Sequence, residues 1–135
     1  MVRIPSSERM LRGQLRAIGH GASLAAGRMD EFLPWRVAFD RETPSLRNER
    51  AMVRAILMRD GWRAGFVPTG ADLEAVTAPV RMLFGSADPT GSVDLWRRFT
   101  SQLSNGELQL VEGAGHMPWW DEPALVGRSV REFLG

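Results

Sequence analysis

The 135 residues suffice for one domain, and 44% hydrophobic with 24% charged residues is the balance of a globular chain rather than a disordered one. The absence of cysteine excludes disulfides and thiolate metal sites, and two distant histidines, His20 and His116, argue against a histidine-rich metal centre. No apolar run approaches the ~20 residues of a membrane span.

The opening "MVRIPSSERM" has no apolar signal core, so a cytoplasmic location without membrane contact is expected. Every basic residue is Arg. Residues 1–63 carry 12 Arg against 7 acids and residues 64–135 carry 5 Arg against 9 acids. The arginines of the basic half are scattered among apolar residues, which suits solvated helix faces better than a nucleic-acid footprint.

In chain order, "SSERMLRGQLRAIGHG" has apolar residues at 10, 11, 15 and 18, close to helical spacing, with Ser6 or Ser7 as cap and Gly19 as stop. "MDEFLPWRVAF" is aromatic, and Pro34 breaks or kinks any helix there. "TPSLRNERAMVRAILMRDG" is the clearest helix. Thr43 caps it, Pro44 opens it, Leu46, Met52, Val53, Ile56 and Leu57 form its apolar stripe, and Gly61 stops it. "GWRAGFVPTG" reads as a loop and "ADLEAV" as a short helical turn.

Past this point the pattern changes. "PVRMLFG" is a short apolar run between Pro and Gly, a buried strand near 79–84. "SVDLWRRFTSQLSNG" is a helix over 92–104 capped by Ser92, with Val93, Leu95, Trp96, Phe99 and Leu103 inward. "ELQLVEG" is a second strand near 107–111, and "EPALVGRSVREFLG" a final helix over 123–134. Strand, helix, strand, helix implies two adjacent parallel strands joined by a right-handed crossover. Catalytic groups in such sheets gather at the carboxyl ends of the strands.

Two segments lie at those ends. "GSADP" carries Asp88 and "GAGHMPWW" carries His116. If the strands are adjacent, the two side chains meet. A carboxylate on one ring nitrogen fixes the tautomer and leaves the other nitrogen as a general base. Met117, Trp119 and Trp120 are placed to exclude water nearby. Asp121 and Glu122 read as caps of the last helix.

"PVRMLFGSADP", a helix, "ELQLVEGAGHMPWWDEP" and a terminal "VREFL" resemble the C-terminal end of an α/β-hydrolase of the esterase, epoxide-hydrolase and haloalkane-dehalogenase superfamily. The resemblance implies a partial α/β-hydrolase fold: a helical cap over residues 1–70, then the last two strands of the parallel core over 71–135. It also implies Asp88 as acid and His116 as base. The family's nucleophile elbow and oxyanion hole belong to earlier strands, for which no segment here matches. In "IGHGASLAAG" the family's frame puts Gly21 where the nucleophile belongs, and Ser23 falls two places late. Ser23 and His20 are therefore expected in a turn of the cap.

The expected function is that of a hydrolase portion, cleaving an ester or related bond in the complete enzyme and inactive alone. Its substrate would be small, apolar and ester-like, with no cofactor and no metal. Trp35, Phe39, Trp62 and Phe66 are expected in the core or lining a pocket under the cap. The open sheet edge invites self-association or complementation by the missing strands. The alternative is a non-catalytic binding or interaction protein that keeps part of the fold. A basic helical binding module in residues 1–63 is a third possibility.

Overall fold

The computed structural model describes residues 7–59 and 61–135. The chain is mixed α/β: eight α-helices, one short 3-10 turn and two two-stranded sheets among the described residues. Helix α1 spans Glu8–Ala17. The Ser7 hydroxyl accepts from the Met10 N–H at its start, and Gly19, at φ +94, turns the chain away at its end. Ser6 lies outside the described residues. A short α2 (Gly21–Ala25) follows, then α3 (Phe32–Glu42). Pro34 does not break α3. It occupies the first turn, where a missing N–H costs no intrahelical bond.

These helices share one core of Leu11, Leu15, Leu24, Met29, Leu33 and Val37. Ile18, Phe32, Met117 and Trp120 pack against it, so the core spans the helical half and the segment after the last strand. Each fully buried side chain of this kind contributes about 1.5–3 kcal/mol of transfer free energy.

Helix α4 runs Ser45–Ile56. It starts one residue later than expected: Thr43 Oγ1 accepts from the Ser45 N–H and donates to the Phe39 carbonyl, bridging α3 and α4. It also ends sooner. Gly61 is not its stop but opens the second strand of a small antiparallel hairpin, β1 (Leu57–Met58) with β2 (Gly61–Trp62), where the end of a helix and a loop were expected. An Asp-Gly pair signals a hairpin as readily as a helix stop. The apolar stripe of α4 is not buried: Met52 and Val53 are exposed.

After a 3-10 turn (Ala64–Phe66), α5 (Gly70–Glu74) begins in a capping box. The Thr69 hydroxyl accepts from the Asp72 N–H, and the Asp72 carboxylate accepts from the Thr69 N–H. Strands β3 (Val80–Gly85) and β4 (Gly106–Val111) then pair in parallel, from Val80 beside Gly106 to Gly85 beside Val111. Helix α6 (Val93–Thr100) connects them, capped by Ser92. It stops short of the expected 104 because residues 101–105 turn down toward β4. A one-turn α7 (Pro118–Asp121) and the final α8 (Pro123–Leu134) complete the chain. Among the described residues, no helix is long and apolar enough to cross a membrane.

Candidate active site

β4 ends at Val111, and Gly113, at φ +71, turns the chain back over the end of β3. The approach is very close. A Cβ on Gly85 would lie 2.2 Å from the carbonyl oxygens of Ala114 and Gly115, so only glycine fits that crossing. The Ala87 N–H donates to the Ala114 carbonyl at 2.9 Å, tying the two strand-end loops together.

This crossing brings Asp88 and His116 into contact, with Nδ1 of His116 2.8 Å from Oδ2 of Asp88. The Thr90 N–H donates to the other carboxylate oxygen at 2.8 Å. The Asp88 side chain is 3% exposed and that of His116 49%. Burial pushes the Asp88 carboxyl up, but the Thr90 N–H and hydroxyl and the His116 ring outweigh it and hold the group below the ordinary carboxylate range. An ionised Asp88 accepts the Nδ1 proton of His116. The ring's Nε2 then carries the free lone pair, and no described residue occupies it.

A second constellation lies behind the first and escapes a reading of the sequence. Asp121 does not cap the last helix. Its side chain is buried and accepts three bonds: from His20 Nδ1–H at 2.8 Å, from the Gly115 N–H at 2.8 Å, and from the Ser23 hydroxyl. The Met117 N–H donates to His20 Nε2 at 3.0 Å. A backbone N–H can only donate, so Nε2 accepts and the proton of this imidazole sits on Nδ1. Arg28 donates to the Ser23 hydroxyl at 3.2 Å and to the Asp121 carbonyl at 3.1 Å. Its side-chain partners, Ser23 and His20, lie 98 and 101 residues upstream. The only hint is a carboxylate set directly after two tryptophans, where an unpaired charge would be costly to bury.

Ser23 and His20 therefore do sit in a turn and short helix of the helical half, both fully buried. The Ser23 hydroxyl donates to a carboxylate rather than to an imidazole, and both nitrogens of His20 are occupied. This set is Ser, His and Asp by composition, but a serine activated by a histidine it is not.

The helical half meets the strand ends at Gly19. A Cβ there would lie 2.8 Å from the Ala87 carbonyl oxygen and from the Gly115 Cα, and the His116 N–H donates to the Ile18 carbonyl at 2.9 Å. The rings of Phe32 and Trp120 meet at a tilt with centroids 5.2 Å apart, and those of Trp35 and Phe39 stack at 5.4 Å. Trp35, Phe39, Trp62 and Phe66 are not in the core, because all four are exposed. Met117 and Trp120 pack into the helical core, whereas Trp119 is exposed. Among the described residues, no group of three or more His, Cys, Asp and Glu side chains is placed to share a metal ion.

The chain is similar to the 2-hydroxy-6-oxononadienedioate/2-hydroxy-6-oxononatrienedioate hydrolase of Cupriavidus pinatubonensis, with 27% identity over 70 residues. Those residues are 52% of this chain and 24% of the relative, so the likeness spans about a quarter of the relative's length. No family model and no solved structure matches the chain.

Proposed function

We propose that the chain supplies the acid–base half of an α/β-hydrolase active site, with His116 as general base and Asp88 as its orienting carboxylate. The observation that carries this reading is the 2.8 Å contact between a buried Asp88 and a half-exposed His116 at the carboxyl ends of two adjacent parallel strands. Asp88 holds the Nδ1–H tautomer and stabilises the imidazolium. Nε2 takes the proton from a nucleophile or water and returns it to the leaving group. Residues 1–70 form the cap over this edge and 71–135 the end of the core.

The substrate class is an ester or a related bond beside a carbonyl. The similar protein is named as a hydrolase of oxo-dienedioates, which fits a carbonyl electrophile. No described residue within hydrogen-bond reach of His116 is a nucleophile on an elbow, so this reading assigns the nucleophile and the oxyanion donors to strands other than β3 and β4. Removing even one oxyanion donor typically costs about 10²–10³ in rate. The chain alone is therefore expected to be inactive.

The test is hydrolysis of a short activated ester by the purified 135-residue chain, beside His116→Ala and Ser23→Ala. No turnover is expected from any of the three. Turnover lost with both substitutions would make Ser23 the nucleophile and overturn the reading. Turnover lost only with His116→Ala would mean that a water-activating dyad suffices.

A further inference from the structure

Three successive backbone amides hold His116 in place, and two of them end on the buried His20–Asp121 pair. The Gly115 N–H donates to Asp121, the His116 N–H to the Ile18 carbonyl, and the Met117 N–H to His20. The pair is joined within itself by the 2.8 Å bond between His20 Nδ1 and Asp121 Oδ2. We propose that His20 and Asp121 are positioning residues for His116: a buried clamp, made of one residue from the helical half and one from the segment after β4, that fixes the loop aiming the imidazole at Asp88. This rests on the reading of His116 as the base.

Several features favour the clamp over generic packing. Gly115 carries no side chain, and a Cβ there would strike the Ile18 carbonyl oxygen at 2.6 Å, so side-chain packing cannot hold this part of the loop. Gly113 leaves the loop a left-handed hinge. His116 itself is half exposed and, among the described residues, its side chain bonds only to Asp88 and, at 3.3 Å, to Thr90. Its aim is thus determined by its backbone. Asp121 adds the bond from Ser23, which touches no part of the loop. Removing Ser23 therefore weakens the cluster without freeing the amides.

The experiment is imidazole and backbone NMR on the 135-residue protein. The readout is the Nδ1–H resonance of His116, slowed in exchange by its bond to Asp88, with hydrogen exchange at the amides of 115–117. In the wild type these three amides should be protected as well as those of β4. Asp121→Asn and His20→Phe should speed their exchange at least tenfold and broaden the His116 Nδ1–H signal beyond detection. His20→Gln, which keeps an acceptor for the Met117 N–H, should restore much of it, and Ser23→Ala should leave the signal unchanged while lowering stability.

An unchanged His116 signal in folded Asp121→Asn would overturn the proposal, as would amides 115–117 exchanging at open-loop rates in the wild type. Should the substituted proteins fail to fold, the wild-type exchange rates still decide. None of these readouts involves turnover, so they stand or fall apart from the catalytic role of His116.

Discussion

Two histidines with the same neighbours, glycine and carboxylate, have opposite fates here, and the difference is solvent. His20 has no exposed surface and both nitrogens engaged, whereas His116 is half exposed with Nε2 left over. Asp121→Ala would leave the Nδ1–H of His20, the Ser23 hydroxyl and the Gly115 N–H without an acceptor in a dry site. At about 1–3 kcal/mol for each unsatisfied group, this substitution should cost more than about 3 kcal/mol in denaturant unfolding. His116→Ala, removing a partly solvated pair, should cost about 1 kcal/mol or less. The burial of Ser23 gives a chemical check: a fluorophosphonate probe should leave the native chain unlabelled, and rapid labelling at Ser23 would place a nucleophile where the geometry denies one. Asp88 sets the acid side. Its carboxyl is held below the ordinary range, so its stabilising contribution is complete above that range and is lost as pH falls through the lowered value. Asp88→Asn should flatten that part of the stability-against-pH curve, read by thermal unfolding across the acid range.

At the scale of elements, close backbone approach does more than helix propensity. Gly85→Ala would drive a methyl into two carbonyl oxygens at the β3–β4 exit and should destabilise by about 1–3 kcal/mol. Gly13→Ala, at an exposed position of α1, meets nothing within 4 Å and should stabilise by about 0.5–1 kcal/mol. The parallel pair, α8 and the meeting of Asp88 with His116 were legible in the sequence, because alternation, caps and strand-end glycines are local signals with a short reach. The end of α4 was not, since Gly61 suits both a helix stop and a hairpin. Nor was the apolar face of Met52 and Val53, because periodicity shows that a stripe exists and not what covers it. Asp121 was missed for a third reason. "WWDEP" has the local form of a helix start, and only the folded chain brings His20 and Ser23 to it across about a hundred residues.

For the molecule as a whole, the β3–β4 pair leaves strand edges with backbone groups unpaired by any described strand, and α4 through the 3-10 turn exposes Met52, Met58, Trp62 and Phe66. Such surfaces favour association, so the purified chain should sediment above its 15.0 kDa monomer mass, and the larger species should shrink when a polypeptide supplying further strands is added. The central claim is that Asp88 and His116 are the proton-handling pair of a hydrolase whose nucleophile lies on other strands. The most direct measurement is ester turnover by this chain joined to, or mixed with, a polypeptide encoded upstream that carries a strand–nucleophile–helix elbow. Activity should appear only with the added segment, survive Ser23→Ala, and fall by about 10²–10⁴-fold in His116→Ala, with a large loss also in Asp88→Asn. Turnover in the joined protein that is indifferent to His116→Ala, or turnover by the chain alone that requires Ser23, would contradict the account.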